Sequence, residues 1–235
     1  MHDSVRIPHR FHGPPDSGNG GFSAGLLASY VDGPAEVTLR RPPPLDRALT
    51  VEDRGDSVVL LDGQDLIAEA VPATVDLDVP AAVDLETATR AAAQCPTALH
   101  PEWHPFPSCF VCGPDRASGD GLRVFPGPVE GRDLFAAPVS FPADLVDGTV
   151  PRVLVWAALD CPSAYPMYTG DTRPASPYVL GRIAARVDRE IPADAAVVAT
   201  AWRLGVDGRK LFTASALFDG KGTQLAVARA TWISL

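Results

Sequence analysis

The chain has 235 residues, 46% of them apolar and 21% charged, the make-up of a globular protein able to bury a real core. Its formal charge is −9 and no basic stripe offsets it, which sets aside nucleic acid and anionic lipid surfaces as partners. No stretch reaches the ~20 apolar residues of a membrane span. The opening "MHDSVRIPHRFHG" lacks the apolar segment of a secretory signal, and four cysteines are too few for a disulfide scaffold, so a cytoplasmic protein with reduced thiols is expected.

In chain order, an extended segment is expected over 5–11. The stretch "DSGNGGFSAGLLASYV" (16–31) then runs through a glycine-rich turn into a helix over 22–31. In that helix Phe22, Leu26, Leu27 and Tyr30 recur at helical spacing among Ser23, Ala24, Gly25, Ala28 and Ser29. Four strands follow, "AEVTLRR", "RALTVED", "SVVLL" and "LIAEAV", the last two joined by the hairpin signal "DGQD". "DLETATRAAAQC" reads as a helix, and a proline-broken stretch occupies 96–121. Beyond it, "DLFAAPVSF" leads to an apolar helix over 150–161 that opens at Pro151. Four strands close the chain: "VLGRIAARVDREI", "AVVATAWRL", "KLFTASALF" and "QLAVARATWIS".

Strand, helix and several antiparallel strands are thus stated twice. The division reads as a first repeat over 1–80, a connecting segment with a helix and a Cys-x-x-Cys over 81–121, and a second repeat over 122–235. Both central helices are apolar almost all round, so each must be covered on every side. Small side chains would let a curved sheet close around them. The expected fold is α+β, two curved antiparallel sheets each wrapped around a central helix.

In these features the chain resembles the tandem, or double hotdog, acyl-CoA thioesterases of the long-chain (type II) kind. The resemblance rests on "NGGFSAGLLASYV" followed by "AEVTLRRPPPLDRALTVE", on "WAALDCPSAYPMY", and on "SALFDGKGTQLAVARATWIS". Separately, "CFVCGPDRASGDGL" is similar to the Cys-x-x-Cys-Gly…Gly-Leu opening of many single-hotdog proteins. The resemblance implies an acyl-CoA or similar thioester substrate and calls for no cofactor. It also implies an Asp on the second-repeat helix that helps activate the hydrolytic water, here Asp160, supported by a Thr and a Gln from later strands. Those positions read Arg203 and Thr231 in this chain, and Gln224 falls early, on a turn.

Read from the residues alone, Asp160 is the only acid in its helix, and a lone buried carboxylate is costly unless used or satisfied. It serves either as a catalytic group or as a helix-end residue bonded to the Ser163 amide ahead of Pro162. The amides of Gly20, Gly21 and Phe22 sit where a helix start could hold an oxyanion, with Asn19 as a further donor; the same "SGNGG" also reads as a plain capping turn. His12, Phe22, Arg40 and Tyr165 are the substrate-binding candidates. Arg40, Arg41 and Arg47 suit either CoA phosphates or a charged sheet edge. His100, His104, Cys109 and Cys112 have the spacing H-x3-H-x4-C-x2-C, which reads as a zinc set or as the hotdog opening without metal. Cys95 and Cys161 read as buried small side chains, and Trp103, Trp156, Trp202 and Trp232 as packing residues. The loop over 169–180 has the length of a lid.

Three functions fit these readings. The first is acyl-CoA hydrolysis, the second hydration or dehydration of acyl thioesters by His12 with Asp160, and the third acyl-CoA or lipid binding without turnover. Exposed sheet edges would allow pairing into a homo-oligomer.

Overall fold

Asn19 sets where the first helix begins. Its side-chain oxygen accepts a hydrogen bond from the Phe22 amide at 2.8 Å, which satisfies one of the donors that a helix start leaves open. Helix α1 (Gly20–Ala28) therefore starts two residues before the predicted helix and stops sooner. The structure is a computed structural model that describes residues 2–168 and 172–235. The expected extended segment over 5–11 is divided: strand β1 (His2–Val5) ends early, and a single helical turn occupies His9–Phe11.

The remaining strands of the first half are β2 (Ala35–Leu39), β3 (Leu49–Asp53), β4 (Val58–Asp62) and β5 (Asp65–Pro72). Helix α2 (Leu85–Ala92) and the short α3 (Pro96–Leu99) lie in the connection. The second half holds β6 (Gly127–Pro128), β7 (Phe135–Val139), α4 (Arg152–Ala164), β8 (Tyr178–Val187), β9 (Val197–Asp207), β10 (Lys210–Asp219) and β11 (Gln224–Ser234).

The strands form one antiparallel sheet in the order β1-β3-β4-β5-β2-β8-β11-β10-β9-β7-β6. Within it, β1-β3-β4-β5-β2 and β7-β9-β10-β11-β8 are the same arrangement, the second run backward along the sheet. The two halves meet through β2 and β8, with Val37 opposite Ile183. The two expected curved sheets are joined edge to edge in a continuous ladder, because pairing β2 with β8 leaves neither strand an open edge there. The chain is a double hotdog.

The small residues of α1 have a different task from the one expected. A Cβ added to Gly21 would lie 2.3 Å from the Asp160 Cβ and 2.7 Å from the Trp156 carbonyl oxygen; one added to Gly25 would lie 2.7 Å from the Trp156 Cβ. Gly21 and Gly25 are one helical turn apart, so together they clear a groove along which α4 lies against the α1 backbone. Helix packs on helix, and the sheet covers the pair from outside. Residues 154–163 of α4 are all buried, and enclosing a side chain such as Leu159 contributes ~1.5–3 kcal/mol. Helix α4 also runs past Pro162 to Ala164, where the sequence suggested a stop. Meanwhile α2 lays Ala88 and Ala91 in a second apolar cluster with Trp202, Ala214, Ala216 and Phe218, on the sheet face away from the central helices.

Candidate active site

The packing of α4 on the start of α1 places Asp160 at the floor of a cavity of about 830 Å³. The residue is 1% exposed. Oδ2 accepts from the Gly21 amide at 2.7 Å and from Asn19 Nδ2 at 3.1 Å, whereas Oδ1 has no partner among the described residues. Burial pushes the Asp160 pKa up to about 7; the Gly21 bond opposes the rise, the Cys109 sulfur adds to it, and the Asn19 bond opposes it. The helix-end alternative is ruled out by geometry: the bond at that place runs from Ser163 Oγ to the Asp160 backbone carbonyl at 2.7 Å, leaving the carboxyl free to reach α1.

Asn19 joins three things at once. Its oxygen caps α1, and its amide nitrogen reaches Asp160 and also the sulfurs of Cys161 at 3.4 Å and Cys109 at 3.9 Å. The oxyanion assignment changes accordingly. The Gly21 amide is taken by Asp160 and the Phe22 amide by Asn19, so of the three expected donors only the Gly20 N–H is without a partner among the described residues. Gly20 lines the cavity.

Other expected site residues fall elsewhere. The Phe22 ring stacks on Phe11 at 3.9 Å in the core, off the cavity wall. His12 is buried, bonded to the His9 carbonyl (2.7 Å), Ser108 Oγ (3.0 Å) and Arg116 (2.9 Å), and does not line the cavity. Thr231 stands on the opposite sheet face, in a smaller hollow with Glu36, Arg182 and Phe212. Strand alternation is the reason: its neighbour Trp232 points inward and donates to Ser163 Oγ of α4 at 2.9 Å. Gln224 binds Asp188 at 2.7 Å, and Arg203 is exposed. Tyr165 does line the cavity, its hydroxyl 2.9 Å from Thr97 Oγ1. Arg40 and Arg41 line it too, paired with Glu69 (3.0 Å) and Asp65 (3.1 Å); Arg47 pairs with Asp62 instead, at 3.0 Å.

The cavity also recruits residues the sequence reading left as packing. Trp103 stacks on His100 and lies parallel to Tyr168, and both Trp103 and Trp232 line the wall. Of the loop over 169–180, the first three residues lie outside the described residues; 173–180 form part of the wall.

The proposed His-Cys zinc set does not assemble. His100 stacks on Trp103, and His104 accepts from the Phe106 amide at 3.1 Å while also bonding the Cys112 backbone. Burial lowers the His104 pKa. Cys109 and Cys112 are joined by Cys161 of α4, all three sulfurs within 4.8 Å of one another. Thiol hydrogen bonds from Cys112 and Cys161 pull the Cys109 thiol down, and Cys109 in turn pushes theirs up. The glycines of this motif are structural: a Cβ on Gly113 would meet the Cys109 carbonyl at 2.5 Å, and one on Gly121 the Phe110 carbonyl at 2.4 Å. Nothing in the spacing pointed to Cys161, which lies 49 residues beyond Cys112 on another element.

No protein-family model matches the sequence, and no curated protein matches it. Solved structures do. An acyl-CoA thioesterase II from Mycobacterium marinum superposes with a TM-score of 0.60 at 12% identity, covering 100% of this chain and 93% of that one. A dehydratase domain of a mycocerosic acid synthase-like polyketide synthase gives 0.61 at 12%, covering 100% and 90%. A hot dog fold protein from Alicyclobacillus acidocaldarius gives 0.56 at 9%, covering 100% and 93%. At such identities the likeness is one of fold, and in fold this chain is a double hotdog like the thioesterase II structures it resembles.

Proposed function

We propose that the protein hydrolyses an acyl thioester, with acyl-CoA as the substrate class. One observation carries the reading: one oxygen of Asp160 is tied down by Gly21 and Asn19, the other is buried with no partner among the described residues, and Asp160 lines a large cavity. A water held by Oδ1 attacks the thioester carbonyl carbon while Asp160 takes its proton. The Gly20 N–H, at the positive end of α1, faces the oxygen on which charge develops. The C–S bond then breaks, and the leaving thiolate recovers the proton from Asp160. Leu180, Met167, Tyr168 and Trp103 line the acyl passage, and Arg40, Arg41 and Arg173 stand where CoA phosphates would come. The fold likeness to acyl-CoA thioesterase II supports the same reading.

Dehydration is the second reading, because a dehydratase domain shares the fold and His104 lines the same cavity. His104 Nδ1 is engaged by the Phe106 amide, and His12 is off the wall, which favours hydrolysis. The test is thiol release from a panel of acyl-CoAs beside hydration of crotonyl-CoA. Thiol release that falls roughly 10²–10⁴-fold in Asp160→Asn is expected. Activity that survives the change, or hydration without thiol release, overturns the reading.

A further inference from the structure

We infer that Cys109, Cys112 and Cys161 form a binding site for a soft divalent cation of the zinc class, with the fourth coordination position open to the cavity. The site is made of two elements. Cys109 and Cys112 come from the tight turn of "CFVC", closed by the bond from the Gly113 amide to the Cys109 carbonyl at 2.9 Å, and Cys161 comes from α4. A Cys-x-x-Cys spacing is typical of zinc ligands, and three protein ligands with an open fourth position are typical of a zinc site that keeps a water or substrate.

The spacing fits a metal. Zinc–thiolate bonds of ~2.3 Å put tetrahedral sulfurs ~3.8 Å apart. Here Cys109 and Cys161 Sγ lie 3.7 Å apart, and all three sulfurs lie within 4.8 Å of one another. A pure sulfur donor set selects soft and borderline ions over magnesium or calcium. Two further observations separate this cluster from ordinary buried cysteines. The Asn19 amide nitrogen points at two of the sulfurs, a donor arrangement that orients and stabilises thiolate ligands from outside the coordination sphere. And all three cysteines line the cavity, which gives an ion a way in and leaves room for a water or ligand as the fourth donor. Cys95 supplies the internal contrast: it is equally buried, but bonded to Thr97 Oγ1 at 3.4 Å and absent from the cluster and the cavity wall.

The inference stands apart from the hydrolysis reading, and its test reads binding rather than turnover. Reduced, chelator-stripped protein is titrated with Co²⁺ and then Zn²⁺. One Co²⁺ per chain is expected, with intense thiolate-to-cobalt charge-transfer absorption that Zn²⁺ abolishes. Alkylation of the native protein followed by peptide mass spectrometry should show Zn²⁺ protecting Cys109, Cys112 and Cys161 while the labelling rate of Cys95 is unchanged. Cys161→Ser should weaken Zn²⁺ binding by about tenfold or more, since even outer partners of such ligands contribute that much, and Cys95→Ser should not. Should Cys161→Ser fail to fold, the protection map on the unaltered chain decides. Absence of stoichiometric binding, or protection that maps elsewhere, overturns the inference. So does metal-independent loss of two of the three reactive thiols on exposure to air, reversed by reductant, which would assign the cluster to disulfide chemistry.

Discussion

The Gly21 amide donates to Asp160 Oδ2 at 2.7 Å, across a contact so close that Gly21 has no room for a side chain. One contact therefore performs two tasks. It lets the two central helices meet, and it fixes the carboxyl on which the proposed chemistry depends.

Gly21→Ala should be far more harmful than Gly20→Ala. The added methyl at Gly21 meets the Asp160 Cβ and the Trp156 carbonyl, neither of which can turn aside, whereas at Gly20 it meets only the Leu180 side chain, at 2.8 Å. Chemical denaturation should show a loss of about 1–3 kcal/mol or more for Gly21→Ala, and a smaller one for Gly20→Ala.

Asn19 can be divided into its two roles. Asn19→Ser keeps a helix-capping oxygen but removes the donor to Asp160, so melting should change little while kcat falls and KM holds. Asn19→Ala removes both and should add about 1 kcal/mol of destabilisation. An unchanged kcat in Asn19→Ser would remove Asn19 as a positioning residue.

Thr231 lies on the far side of the sheet from Asp160, so Thr231→Val should leave thiol release unchanged. A marked loss with intact folding would mean that β11 presents a different face to substrate in solution.

Arg40 and Arg41 each hold an exposed carboxylate, and such pairs contribute little to stability. Arg40→Ala with Arg41→Ala should therefore leave melting unchanged but raise KM for an acyl-CoA, the more so at low salt. KM for the matching acyl-pantetheine, which lacks the nucleotide phosphates, should stay the same. Parallel effects on both substrates would place CoA elsewhere.

Asp84 caps α2 by accepting from the Thr87 amide at 2.7 Å, which holds its carboxyl below the ordinary value of 3.8. A folded pKa below the unfolded one means that the stabilisation is complete above that ordinary value and lost as pH falls through the folded one. Asp84→Ala should lower Tm at neutral pH, and the difference should vanish in acid; a gap that persists there would show that the cap acts other than through its charge.

The sequence by itself determined the elements and their repetition. Period-two strands, Asp-Gly turns and two helices without a polar face are local properties, and they sufficed for a double hotdog and for singling out Asp160 as an acid in an apolar helix. What the glycines face, only the tertiary structure decided. "SGNGG" carries no sign of whether a ligand or another helix comes close, and the separation of 139 positions from Gly21 to Asp160 hides that the two are bonded. The same holds for Thr231, whose side of the sheet follows from the inward turn of Trp232, and for Cys161, which joins Cys109 and Cys112 only because α4 packs beside their turn. Periodicity is written residue by residue; which surfaces meet depends on how the whole chain excludes water from its core.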